Sequence, residues 1–243
     1  REAFAAGVRP ATAPIVVIGE THAFPEPEAL ERQLAVFGEP GGEAIAAVVP
    51  ALANANPATA SSWASLMVTY GRSLGGARRD VATASTHSTA YRREALAACE
   101  PELPELLELG GGLDARLRAQ SHRLVYEPAS VYAHLNVVPL RSCFLERFHS
   151  SRIYAAGRSR HWSRPRRLAY AAASPLVPAL LGSRVVRSGG WAEHRSHMPP
   201  RVYGPLAVSL VGMALGEAAA YLGGAGRAPR SVAEYELHRE RYA

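Results

Sequence analysis

Lysine is absent from this 243-residue chain, and all 27 basic residues are arginine. Together with abundant alanine, that bias points to the base composition of the coding sequence rather than to chemistry. Cysteine is scarce: Cys99 and Cys143 are too few for a disulfide framework, and a reducing compartment fits. No signal peptide precedes the first apolar stretch, and residue 1 is Arg rather than Met, so the chain is expected to begin inside a longer protein. Internal repeats and long low-complexity tracts are also missing. Hydrophobic residues nonetheless make up 48%, which excludes wholesale disorder and suffices for a sizeable core.

The net charge of +6 is one block rather than a general property. Residues 1–138 carry 11 Arg against 15 acidic residues, residues 139–201 carry 12 Arg against 2 Glu, and residues 202–243 carry 4 of each. Such a block suits nucleic acid, an anionic membrane surface or a phosphorylated substrate, or else forms a solvated helix face. Without regularly interleaved aromatics, and lying beside apolar helices, it weighs against nucleic acid.

Short apolar runs at Ile15–Ile18, 44–49 and 81–84 read as strands and alternate with helical stretches at 27–37 and 58–70, the pattern of an α/β layer fold. Pro27 suits a first helical turn. Residues 92–98 form another short helix. Residues 104–120 are helical in pattern but are interrupted by Gly110-Gly111-Gly112. Two short strands, 124–126 and 130–133, flank a turn at Glu127-Pro128. From Pro139 the character changes. Leu140, Phe144 and Phe148 recur every fourth residue on one helix face, with Arg141, His149 and Arg152 beside them. A second helix starts near Arg164-Pro165. A third apolar run, 205–224, approaches the length needed to cross a bilayer core. The segment 231–242 reads as a short charged helix. The chain therefore divides into an α/β part at 1–138 and a helical, basic and apolar part at 139–243.

Four constellations can carry chemistry. Glu20 and His22 follow the strand Ile15–Ile18, and on an extended segment residues i and i+2 point the same way, so a carboxylate and an imidazole can share one divalent cation. Otherwise Glu20 caps the turn and His22 is a surface histidine. The run 86–96 contains His87, Tyr91, Arg92 and Arg93 at a helix start, where N–H groups and guanidinium groups can hold an anion or a hydroxyl-rich ligand; an ordinary helix cap is the simpler reading. Glu108 precedes the glycine break and can serve as a general base, with Asp114 competing; Asp114 and Arg118, at i and i+4, also make a plain helix ion pair. His134 closes a strand and can complete a metal site with Glu20 and His22, contact a phosphate, or simply be a hydrogen-bonded core histidine.

In order along the chain, these pieces resemble a bacterial family-2 glycosyltransferase of the inverting GT-A type. The resemblance is carried by Gly7-Val8-Arg9, by the strand that ends in Glu20-Thr21-His22 where the family has Asp-x-Asp, and by the helix of 25–37. Further along, it is carried by Asn54-Ala55-Asn56-Pro57, by Ser62-Trp63 through Tyr70-Gly71, and by His87 through Leu96 with Tyr91-Arg92-Arg93-Glu94. Leu113 through His134 and Arg147-Phe148-His149 with Arg152 complete it. The family's Glu-Asp pair before Arg-Leu-Arg is replaced here by Leu109-Gly110, and its opening nucleotide-binding strands are missing. The resemblance implies a Rossmann-like GT-A mixed sheet, N-terminally truncated, with a C-terminal helical membrane-associated extension. It implies a nucleotide-sugar donor, a divalent cation (Mg²⁺ or Mn²⁺) on Glu20 and His22, and Arg9 and His134 on the donor side. Glu108 or Asp114 would be the base, and His87, Tyr91 and Arg92 would face the acceptor. Arg147, His149 and Arg152 would contact membrane or phosphate. The implied partners are a nucleotide-sugar, a glycan or lipid-linked acceptor and the membrane surface, with no nucleic acid. The implied location is the cytoplasmic face of the bacterial inner membrane. The alternative is a non-catalytic membrane-surface protein with a degenerate transferase fold.

Overall fold

The structure is a computed structural model that describes residues 2–71, 73–84, 87–108 and 112–243, with backbone alone at residues 2, 3 and 108. The chain is mixed α/β, with a mixed parallel and antiparallel sheet. It divides into two compact units, 1–53 with 77–133 and 54–76 with 134–243.

The strands are β1 (Ile15–Ile18), β2 (Ala23–Pro25), β3 (Ile45–Asn54), β4 (Arg79–Asp80), β5 (Thr89–Arg92) and β6 (Arg123–His134). Their order in the sheet is β1-β5-β3-β6-β2, with β4 paired to β6. The helices are α1 (Glu2–Val8), α2 (Ala29–Ala35), α3 (Ala60–Tyr70), α4 (Arg93–Ala97), α5 (Leu103–Glu108), α6 (Gly112–Ala119), α7 (Leu140–Arg158), α8 (Arg164–Ala173), α9 (Val177–Val186), α10 (Gly189–His194), α11 (Tyr203–Gly223) and α12 (Ala228–Leu237).

In the first unit, β1 ends where the apolar run meets Gly19, and it pairs antiparallel with β5 from Ile15↔Arg92 to Ile18↔Thr89. Ala5 and Val8 of α1, a helix the sequence pattern does not announce, join Tyr91, Leu96, Leu107, Leu113 and Leu117 in one buried cluster. Removing such side chains from water is the main force holding these short elements on the sheet. Three expectations are corrected. The strand expected at 81–84 is displaced to β4, and only Val81 continues toward β6, through its N–H to the Leu124 carbonyl at 2.8 Å. The helix expected at 27–37 begins only at Ala29, because Glu28 sits in the left-handed region (φ 65°); it closes in a 3-10 turn at Val36–Gly38. The two strands expected around Glu127-Pro128 are one strand, β6. Proline has no N–H to give to a ladder. Pro128 falls between the stretch that pairs with β4 (Val125, Tyr126) and Val131, whose carbonyl accepts the Glu26 N–H, so its missing donor leaves no gap on that edge. Of the glycine break expected at 110–112, Gly110 and Gly111 lie outside the described residues and Gly112 opens α6.

In the second unit, Thr59 caps α3 by accepting the Ser62 N–H at 3.1 Å. α7 and α11 pack along most of their length. Their axes come close because α11 presents glycine: a Cβ at Gly212 would lie 2.5 Å from the Phe144 carbonyl oxygen, and one at Gly216 2.1 Å from that of Phe148. α12 lies along α7, and α8, α9 and α3 lie against α11. Two stretches, Arg164–Val186 and Pro200–Gly223, are long and apolar enough to cross a membrane by length and composition; the first is 11% buried and the second 44%.

Candidate metal-binding cluster

The register of β1 on β5 builds the cluster. Because Ile18 lies opposite Thr89, the residues two steps beyond each, Glu20 and His87, meet as the strands run out. Glu20 Oε1 lies 2.6 Å from His87 Nδ1, and its Oε2 lies 3.7 Å from His22 Nε2. The Glu20 side chain is 4% exposed and that of His22 3%. A carboxylate drawn this far from water requires compensating charge or donors. The convergence of Glu20 and His22 does not arise from strand alternation, as the sequence suggested. Glu20 lies past the end of β1, and Thr21-His22 form a turn into β2 that folds the imidazole back.

His134 closes β6 and belongs to the second unit. An asparagine ladder sets the His134 tautomer. The Asn136 amide nitrogen donates to Asn54 Oδ1 at 3.0 Å and to the His134 carbonyl at 2.9 Å, so its Oδ1, 2.9 Å from His134 Nδ1, accepts. His134 Nδ1 therefore carries the proton, and Nε2, 3.5 Å from the Tyr70 hydroxyl, keeps the lone pair a metal needs. Asn56 locks the ladder by exchanging hydrogen bonds with the Asn136 backbone, at 2.8 and 3.0 Å.

The other candidates stand elsewhere. His87, read as facing an acceptor, sits on Glu20. Tyr91 is fully buried, and its hydroxyl is pushed well above the usual phenol range by burial and by the nearby Asp114 charge. Arg92 donates to the carbonyls of Ile45 and Gly42, at 3.1 and 2.8 Å, and lies over the Phe37 ring. Arg9 pairs with Glu100 at 3.2 Å on the surface. Glu108 ends α5, and its side chain lies outside the described residues. Arg147 reaches the Glu146 carboxylate at 2.8 Å and the Thr69 hydroxyl at 2.9 Å. His149 stacks edge-on with Phe148, and burial and the Arg152 charge lower its pKa. Arg152 donates to the Gly224 carbonyl at 2.8 Å.

Asp114 makes no ion pair with Arg118. Instead its Oδ2 accepts the Ala84 N–H at 2.9 Å, while Arg118 donates to the Ala82 carbonyl at 3.3 Å. Burial raises the Asp114 carboxyl to about 6, against the pull of the Ala84 N–H and the Arg118 charge. The folded state therefore holds a proton there that the unfolded chain has lost above pH 3.8. That contribution is present at low pH and disappears as pH rises through about 6, a swing of at most about 3 kcal/mol. Urea midpoints of the wild type, followed by circular dichroism, are expected to fall between pH 5 and 7.5. Asp114→Asn should flatten that fall and be the more stable protein at pH 7.5, and parallel pH profiles would show that Asp114 does not titrate there.

The asparagine ladder and a buried pair, Glu146 with Arg239, are polar contacts that the sequence reading did not foresee. The Asn54-x-Asn56-Pro57 spacing was the only trace of the ladder in the sequence; the pair left none. No protein-family model and no curated protein matches the chain.

Proposed function

We propose that the protein is an inverting glycosyltransferase of the GT-A type that moves a sugar from a nucleotide-sugar donor to a hydroxyl acceptor at the cytoplasmic face of a bacterial membrane. One observation carries the reading: a buried carboxylate, Glu20, gathers two imidazoles, His22 at 3.7 Å and His87 at 2.6 Å, at the ends of sheet strands, where α/β proteins bind ligands. The donor set fits a divalent cation. Two imidazoles beside one carboxylate are softer than the all-oxygen shells Mg²⁺ prefers, so Mn²⁺ is the better match. When bound, the cation would supply Lewis-acid stabilisation of a departing diphosphate.

The chain's own part is to hold and to deprotonate. His87 steadies the Glu20 carboxylate, and Asn136 presents His134 Nε2. In the transfer itself the acceptor oxygen bonds to the anomeric carbon as the bond to diphosphate breaks, and the acceptor proton passes to a carboxylate. Glu108 is assigned that role, because Asp114 is sealed in the core and holds the Ala84 N–H. The replacement of the family's acidic pair by Leu109-Gly110 favours the second reading, a non-catalytic membrane-surface protein.

The two readings part in a turnover assay. The protein is incubated with Mn²⁺ and a panel of UDP-, GDP- and dTDP-sugars, with and without bacterial membranes as acceptor. Nucleoside diphosphate release that requires Mn²⁺ and rises with membranes is expected. If no donor is consumed under any condition, sugar transfer is wrong and the non-catalytic reading stands.

A further inference from the structure

The apolar run at 205–224, the anchor suggested by hydropathy, is turned inward along one side only, with 44% of Pro200–Gly223 buried. α11 seats Gly212 and Gly216 against the α7 backbone and buries Leu206, Leu210 and Tyr221. Val211, Leu215 and Leu222 of α11 face outward, but the barer apolar surface, only 11% buried, runs from α8 through the 3-10 turn Ser174–Leu176 to α9. No residue of α8 is buried. Leu168, Ala172, Leu176 and Leu180 recur every fourth residue, and the three leucines are 58%, 60% and 54% exposed. An apolar stripe of this length is not left in water without a partner.

What surrounds the stripe identifies the occupant. No acidic residue occurs between Glu146 and Glu193, while exposed Arg164 and Arg166 open the stretch and exposed Arg184 and Arg187 close it. At the opening end Arg166 lies 4.2 Å over the Trp162 ring and 5.9 Å from that of Tyr170, which is itself 43% exposed. Arginine stacked on tryptophan and tyrosine beside an apolar stripe matches the headgroup layer of a bilayer, which is wet on one side and apolar on the other. A protein partner would call for no uniform positive sign. With exposed arginines at both ends and prolines at 175 and 178, the stretch suits lying in the membrane surface.

We infer that the face formed by α8, the Ser174–Leu176 turn and α9 is a docking surface for an anionic lipid bilayer, with Leu168, Leu176 and Leu180 in the acyl boundary and Arg164, Arg166, Arg184 and Arg187 among headgroup phosphates. This takes up the membrane placement of the proposed function and gives it a specific surface. Its observations all lie in the second unit.

The test is flotation of the full chain with vesicles of phosphatidylcholine containing about one-third phosphatidylglycerol, and with phosphatidylcholine alone. The protein should float with the anionic vesicles. Arg164→Gln combined with Arg166→Gln and Arg187→Gln should weaken partitioning on the order of 100-fold. Leu168→Glu combined with Leu176→Glu and Leu180→Glu should abolish flotation, with an unchanged circular dichroism spectrum because the replaced side chains are exposed. Failure of the wild type to float with anionic vesicles overturns the inference, as does full flotation of the glutamate variant. A concentration-dependent dimer in sedimentation equilibrium that the glutamate variant dissolves also overturns it, by assigning the stripe to a second copy. Flotation without donor turnover counts against sugar transfer alone, and turnover without flotation counts against this surface alone.

Discussion

Glu20→Gln is expected to abolish Mn²⁺-dependent turnover, by at least about 100-fold, while leaving the fold intact. The side chain lies between two imidazoles, at 2.6 Å from His87 and 3.7 Å from His22, and it supplies the negative charge of that set. Glutamine keeps the volume and one carbonyl oxygen but removes that charge, and a neutral amide is a poor ligand for a divalent cation in a dry site. Isothermal titration with Mn²⁺ and donor turnover should fall together. His22→Ala should follow the same pattern more mildly, since the carboxylate remains. A Glu20→Gln protein that binds Mn²⁺ as the wild type does would detach the cluster from any metal role, whatever the turnover assay reports.

What could be read from the sequence was local. β1 matches the apolar run residue for residue, because Pro14 and Gly19 bound four β-branched residues that have no helical spacing. α7 was legible from Leu140, Phe144 and Phe148, although Leu140 proves half exposed and the face is read by Gly212 and Gly216 rather than by large side chains. The partners His87 of Glu20 and Ala84 of Asp114 were not legible, since each depends on a long-range pairing. His87 reaches Glu20 only because β5 lies next to β1, an order that crosses the chain. Asp114 reaches the Ala84 N–H across 30 residues instead of Arg118 across four, because a buried carboxyl gains more from a backbone donor in the core than from a flexible guanidinium at the surface. Charge counting located the basic block but not its use. Arg147 and Arg152 turn inward to Thr69 and Gly224, whereas Arg164 and Arg166 stay outside.

The same inward turn of charge sets the second large effect, on stability. Arg239 is expected to be the most costly arginine to remove. Its guanidinium is 4% exposed and donates to Glu146 Oε1 at 2.7 Å and to Glu236 Oε1 at 3.0 Å. Glu146, 1% exposed, also takes Arg147 at 2.8 Å. Burial alone would raise the Glu146 carboxyl, but the charges of Arg147 and Arg239 outweigh it and hold the group at about 2. Arg239→Met leaves a buried carboxylate with one cation instead of two and frees the 3-10 turn Arg239–Arg241 from α7, at an expected cost of about 3–5 kcal/mol. Replacing both partners removes the stranded charge, so Glu146→Leu with Arg239→Met should recover most of that loss, even though two hydrogen-bonded ions have gone. Urea denaturation of the two single variants and the double variant at pH 7 gives the coupling directly. A double variant as unstable as the sum of the singles would mean that the ion pair adds nothing beyond the packing of its stems, and that the C-terminal turn is held by Tyr242 and its 2.8 Å bond to the Val138 N–H instead.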